Sequence, residues 1–236
     1  MPAFNGAGTV SSAIGSVLDQ SDGDLEIIVV DDGSTDQSFE IANRITDLRV
    51  KAFRLDKNSG AAAARNYALH QATGRYIAFL DADDLWLPGK LEKQLNVMQR
   101  QGAALSYTGF FRDDGATRKT IEIPPEVTYA QLLRGNVIGC LTAIYDSKLL
   151  GKTPMPDLRL RQDFALWLAL LRRADKAIGI AEPLAVHFRK PGSLSSNIMA
   201  NAVGTWRMYR EAEALGRVRT ARLMASHYLN RYRAIR

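Results

Sequence analysis

The sequence predicts an α/β fold: a mostly parallel sheet flanked by helices, with a C-terminal helical extension. Three observations carry the prediction. Short apolar runs alternate with helical stripes over roughly the first hundred residues, with short connections, a pattern that yields parallel strands and crossover helices. Two of those runs end in acidic turns, Asp31-Asp32-Gly33-Ser34 and Asp81-Ala82-Asp83-Asp84. The last 36 residues, 201–236, hold eight arginines against Glu211 and Glu213 and carry apolar side chains at helical spacing.

In chain order, Val10, Ile14, Val17 and Leu18 form a helical stripe within 8–20. Residues 25–30, Leu-Glu-Ile-Ile-Val-Val, read as a strand buried on both faces. Asp36 can cap a helix over 37–46, and 50–55 reads as the next strand. Asn58-Ser59-Gly60 leads into an alanine-rich helix over 61–72, stopped by Gly74. Strand 76–80 follows, then a helix from Pro88. Past about residue 104 the alternation loosens. Residues 104–111 and 118–123 suggest a strand pair around the Asp113-Asp114-Gly115 turn. A short helix (128–134), a strand (141–145), an amphipathic helix (163–173) and a strand (177–189) complete the body. Met1–Asn5 resembles the end of a strand whose body is absent, which points to a native start upstream of Met1; the alternative is a chain that begins here with its edge covered otherwise.

The composition, 46% hydrophobic and 24% charged, is that of a soluble globular protein. No run of eighteen apolar residues occurs and no signal peptide is evident. The single Cys140 excludes an internal disulfide and a cysteine-rich zinc site, so a cytoplasmic location is expected, with Cys140 as core packing. Outside the tail, 23 basic and 23 acidic residues balance. The net charge of +6 therefore belongs to the tail, and the body shows no nucleic-acid-binding character.

In a parallel sheet the strand ends converge at one edge, where open α/β sheets bind ligands. Phe4, Asp32, Asn58, Gly60, Arg65 and the Asp81–Asp84 turn would meet there. Phe4 can stack on a base, and an aspartate can accept from a uracil N3–H or from ribose hydroxyls. Gly60 allows close backbone approach, and Arg65 one turn on can reach base or phosphate. Three carboxylates in four positions repel one another, and hard oxygens at a strand end suit Mg²⁺ or Mn²⁺ carrying a phosphate. A solvated acidic turn is the other reading of that tetrapeptide, and on these residues alone the two stand level.

The ordered series Pro2-Ala3-Phe4-Asn5, Val30-Asp-Asp-Gly-Ser34, Asn58-Ser-Gly-Ala-Ala-Ala-Ala-Arg-Asn66 and Phe79-Leu-Asp-Ala-Asp-Asp84 resembles the family 2 inverting glycosyltransferases of GT-A fold. The likeness extends more loosely through Arg161-Gln-Asp-Phe-Ala-Leu-Trp167 and His187–Ser195. The resemblance implies a nucleotide-sugar-binding half over 1–103, an acceptor-binding half over 104–200, and the basic tail over 201–236. Pro2, Ala3, Phe4, Asp32, Asn58, Gly60, Arg65 and Asp81 would hold the nucleotide. Asp83 would ligate Mg²⁺ or Mn²⁺ on the diphosphate, with Asp81 helping and Asp84 structural. His187 could add a metal or phosphate contact, although a lone His at a strand end is more often satisfied structurally. Asp163 matches the family's general base; the family more often has Glu-Asp where this chain has Gln162-Asp163. Its structural reading is a helix N-cap before Phe164.

Arg189, Lys190, Ser193 and Ser195 could form a loop closing over the diphosphate, or a solvated loop. Trp86 and Trp167 are expected in the core or along an acceptor wall, with packing the default. In the tail, Trp206, Met208, Tyr209, Ala212 and Leu215, then Val218, Leu223, Met224, Tyr228, Leu229 and Tyr232, suggest two helices with apolar faces. These would either lie peripherally on an anionic membrane or pack back on the domain. The sequence thus predicts metal-assisted, inverting transfer of a sugar from a nucleotide donor, UDP by preference, to a saccharide or lipid-linked acceptor in cell-surface polysaccharide synthesis. A sugar-phosphate nucleotidylyltransferase, which would need a Gly-rich basic loop that residues 1–15 lack, and a non-catalytic sugar-nucleotide-binding protein are the alternatives.

Overall fold

The computed structural model describes residues 1–21, 23–189 and 198–233, with the side chains of 227–233 left out. The expected Lys190, Ser193 and Ser195 loop lies outside the described residues, as do the side chains of Tyr228, Leu229 and Tyr232. The elements run β1 (Pro2–Ala3), α1 (Val10–Leu18), β2 (Ile27–Asp31), α2 (Ser38–Asn43), β3 (Val50–Arg54), α3 (Ala61–Gln71), β4 (Tyr76–Ala78), β5 (Leu85–Trp86) and α4 (Lys90–Gln101). They continue with β6 (Leu105–Asp113), β7 (Arg118–Ile121), β8 (Glu126–Val127), α5 (Tyr129–Leu132), β9 (Ile144–Asp146), α6 (Ser147–Leu150), α7 (Gln162–Leu171) and β10 (Ala177–Phe188). Helices α8 (Ile198–Arg207) and α9 (Arg217–Arg233) follow, joined through a π-helical turn at Met208–Ala212.

The parallel part of the sheet is β1-β2-β3, with Pro2 beside Val30 and Ile27 beside Val50. Every residue of β2 is buried, as its β-branched run requires of a strand covered on both faces. Strand β4 pairs antiparallel with β9 in a second, mixed sheet of order β4-β9-β6-β10-β5, to which β7 adds a hairpin pairing on β6 and β8 an antiparallel pairing on β10. The mixed character follows from the second half of the chain, whose strands connect by turns as well as by helices. The long β6–β10 pairing is parallel and carries register shifts around Pro183, where the imino ring has no N–H to donate.

Two large apolar cores flank these sheets, and a smaller cluster of Ile28, Val30, Ala64 and Ala68 joins β2 to α3. Trp167, Phe164, Tyr107, Tyr145 and Leu105 are fully buried in one, and Phe79 meets Trp167 edge-on at 5.8 Å. Val10, Ile14, Val29 and Met98 anchor the other, with Trp86. Trp86 donates its indole N–H to the Leu141 carbonyl at 2.9 Å and lies 4.2 Å from the buried Lys90 ammonium. Both tryptophans therefore pack in the core. In the tail, Met208, Tyr209 and Leu215 are buried and Leu223 and Met224 pack on the core, whereas Trp206 and Val218 face outward. The apolar residues expected to share a tail face are thus divided between two. No helix among the described residues is long and apolar enough to cross a membrane.

Candidate active site

The exits of β1 and β2 are laced together by the Asp-Gly-Ser-Thr-Asp segment. Asn5 N–H donates to Ser34 Oγ at 2.9 Å, Gly6 N–H to Ser38 Oγ at 2.7 Å and Ala7 N–H to Asp36 at 3.0 Å. Asn5, at φ 48°, returns the contact by accepting from the Thr35 N–H. Asp36 also accepts from the Ser38 N–H at the start of α2, but the N-cap is Gln37, one residue later than the cap expected at Asp36. Asp31 turns inward, accepting from the Ser34 N–H and pairing with Arg54 at 3.3 Å. Phe4 emerges from this lattice half exposed, its ring available to stack, while Pro2 and Ala3 stay buried beneath it.

Asp32 is buried and reaches the third strand's exit. Its two oxygens accept from the Ser59 N–H at 2.7 Å and the Gly60 N–H at 2.8 Å, which fixes the start of α3. Gly33, at φ +69°, makes this approach feasible, because a Cβ there would lie 2.8 Å from the Asn58 amide. Asn58 itself is exposed at the rim. The sequence suggests that Asp32 faces a base; in the structure its oxygens are used to brace Ser59 and Gly60.

One turn into α3, Arg65 is buried and donates to Asp81 at 2.5 Å. Burial works against its charge, but Asp81 overcompensates and holds the guanidinium more firmly protonated than usual. Its Nε has no hydrogen-bond acceptor among the described residues. The neighbouring Asn66 was read only as part of a motif. Its amide donates to the Met155 carbonyl and accepts from the Met155 N–H, both at 2.8 Å, clamping the segment that leads to α7.

Beyond β4 the acidic turn separates its members. Asp81 and Asp83 are half-buried, while Asp84 is buried. Asp84 faces His187 Nδ1 at 3.1 Å and accepts from the Phe188 N–H at 3.0 Å, stitching the turn to the end of β10. Burial pushes the Asp84 carboxyl up to about 6 against the pull of His187, and the hydrogen bond to Asp84 raises the imidazole in turn. Asp163 lies in the first turn of α7, at its second residue; the N-cap is Arg161 in a left-handed conformation. The N-cap reading of Asp163 is therefore corrected. Its carboxylate lies within electrostatic reach of Arg65 and of Cys140. Cys140 is half-buried against the core, and burial raises its thiol.

Among the described residues, no three His, Cys, Asp or Glu side chains converge into a self-sufficient metal cage. Mg²⁺ and Mn²⁺ do not require one: a cation of this kind is held by one or two carboxylates together with substrate phosphates. The half-buried carboxylates of Asp81, which Arg65 holds at 2.5 Å, and Asp83 are of the type that would fit such a donor set.

The model of the family described as Glycosyl transferase family 2 matches residues 1–145. The chain belongs to this family. The family 2 glycosyltransferase is similar to the Bacillus subtilis (strain 168) protein TuaG, named for teichuronic acid biosynthesis, at 43% identity over 219 residues, 91% of this chain and 87% of that one. It is also similar to the Escherichia coli protein WfgD, named as a UDP-Glc:alpha-D-GlcNAc-diphosphoundecaprenol beta-1,3-glucosyltransferase. That identity is 37% over 174 residues, 73% of this chain and 68% of the other. Among solved structures, Staphylococcus aureus TarS residues 1–349 in complex with UDP-GlcNAc superposes with a TM-score of 0.76 at 22% identity, over 98% of this chain and 70% of that one. This likeness establishes the GT-A fold. Membership of a glycosyltransferase family sets aside the nucleotidylyltransferase and the non-catalytic readings.

Proposed function

We propose that this glycosyltransferase moves a sugar from a UDP-sugar, with inversion, to a lipid-linked saccharide in the cytoplasm during cell-surface polysaccharide synthesis. The observation that carries the reading is a convergence. The Phe4, Asp32 and Gly60 edge, the Arg65–Asp81 pair and the first turn of α7 with Asp163 come from five separate parts of the chain and share one neighbourhood. The relatives' names supply the donor and acceptor classes: a UDP-sugar for WfgD and TarS, a diphosphoundecaprenol-linked sugar for WfgD.

In this reading residues 1–103 form the donor half and 104–200 the acceptor half. Phe4 stacks on the uracil, and each Asp32 oxygen has a second lone pair for the base N3–H. Pro2, Ala3, Asn58 and Gly60 shape the slot. Arg65 orients Asp81 toward the ribose, and Asp83 with Asp81 would hold a divalent cation on the diphosphate. That cation, when bound, neutralises the charge of the departing diphosphate. His187, steadied by Asp84, faces the same turn and supports the phosphate side. Asp163 takes the proton of the acceptor hydroxyl as that oxygen attacks the anomeric carbon from the face opposite the diphosphate, so one displacement inverts the centre.

A thermal-shift panel of UDP-, GDP- and dTDP-sugars with and without Mn²⁺ tests the proposal. Stabilisation by the UDP-sugar that grows with metal is expected. No shift with any nucleotide sugar would contradict it.

A further inference from the structure

Helix α8 distributes its side chains in an unusual way. Its inward face carries small and polar groups. Gly204 meets Leu160 so closely that a Cβ would sit 2.8 Å from the Leu160 Cβ. Thr205 Oγ1 accepts from Arg161 Nε at 3.1 Å and donates to the Asn201 carbonyl at 2.8 Å. The outward face carries the large apolar groups. Met199, Val203 and Trp206 follow one another at i, i+4 and i+7, exposed by 74%, 56% and 36%, with Ile198 exposed by 69% at the helix start. A surface helix ordinarily points its apolar stripe inward, so a contiguous outward stripe marks a docking surface.

The surroundings define the partner. Arg207, Arg217, Arg219 and Arg222 are exposed around and beyond the stripe, and Arg210 is half-buried one turn past Trp206. The exposed acids near it are Glu211, which pairs with Arg207 at 2.9 Å, and Asp157, within electrostatic reach of the same arginine; Glu213 is buried against Arg172 and Tyr129. Val218, in the first turn of α9, is likewise exposed, by 67%.

We propose that the outward face of α8, with the arginines of α8 and α9, docks the enzyme peripherally on an anionic lipid bilayer. Apolar side chains enter the headgroup boundary and guanidinium groups meet acidic lipids. A second copy of the chain would bring arginines against arginines, and a nucleic acid backbone would have no use for Ile198, Met199 and Val203. The inner face of the same helix holds Arg161, the N-cap of the helix bearing Asp163. Docking on α8 would therefore keep the α7 end of the site close to a lipid-linked acceptor. The proposal deepens the lipid-linked reading and rests on it for its purpose, but vesicle binding is measured without turnover.

The test is co-sedimentation of the full chain with phosphatidylglycerol or phosphatidylcholine vesicles at low and high salt, together with tryptophan emission. Trp86 and Trp167 are buried, so Trp206 reports insertion. Binding to the acidic vesicles with a blue shift is expected. It should weaken about tenfold in Val203→Glu and in the Arg217→Gln/Arg219→Gln/Arg222→Gln variant, with circular dichroism unchanged. Equal binding to both vesicles, binding to neither, no effect of either variant, or a dimer in light scattering that Val203→Glu dissociates would each overturn the proposal. If docking fails while the UDP-sugar thermal shift persists, the donor reading stands and the membrane surface falls.

Discussion

At the scale of single residues, the acidic turn after β4 divides by burial. Asp83 is half-buried and is the member we propose for the metal, whereas buried Asp84 gives its oxygens to His187 and the Phe188 N–H. The two substitutions should therefore fail differently. Asp83→Asn is expected to abolish the metal-dependent part of the donor thermal shift while leaving the unliganded melting temperature unchanged. Asp84→Ala is expected to strand two donors and cost about 1–3 kcal/mol of stability, read by urea unfolding. The structural role of Asp84 had been expected from the sequence. The sequence could not show that Asp32 braces Ser59 and Gly60, because one carboxylate in a turn looks the same whether it faces a ligand or the backbone.

At the scale of elements, two devices tie α3 and the chain that follows it to their neighbours. The first is Asn66, whose amide completes a two-bond clamp on Met155. Asn66→Ala leaves a buried backbone N–H and C=O unpaired, at a cost of about 1–3 kcal/mol. It should lower kcat more than it weakens UDP-sugar affinity, because the clamped segment leads to Asp163; steady-state kinetics beside donor titration checks this. The second is Glu26, just before β2, which accepts from Thr73 N–H, Thr73 Oγ1 and Gly74 N–H and pairs with Lys51. Burial raises its carboxyl, but these bonds outweigh burial and hold it at about 2, below its ordinary 4.5. A depressed carboxyl contributes stability that is full above the unfolded value and is lost as pH falls through the folded one. Glu26→Gln should then lose about 1–3 kcal/mol at neutral pH. The gap to wild type should close between roughly pH 4.5 and 2, which denaturant curves at several pH values would display.

At the scale of the whole molecule, the order of strand and helix through α4 was legible because period-2 and period-3.6 patterns persist there. Strands β5 and β8 were missed: two residues each carry no period. Strand β4 was expected in the parallel sheet, but its partner, β9, lies far along the chain, and no local pattern announces that pairing. The tail was legible as helical and basic. Which of its faces would be covered was not, since that depends on the approach of Gly204 to Leu160, a contact across 44 residues. Of the strand ends expected at one edge, those of β1 and β2 adjoin in the parallel sheet, whereas the Asp81–Asp84 turn leaves the mixed sheet and joins them through the Arg65–Asp81 pair; Asp163 was named only through its likeness to the family.

The central claim is that a donor-binding edge and a separate proton-accepting carboxylate cooperate in one glycosyl transfer. Asp163→Asn tests it most directly, by measuring UDP-sugar affinity and transfer rate on the same preparation. The account predicts donor affinity within about threefold of wild type and a transfer rate lower by about 10²–10⁴-fold, the contribution of a positioned general base. Full transfer by Asp163→Asn, or a loss of donor binding that accounts for the whole loss of rate, would contradict it.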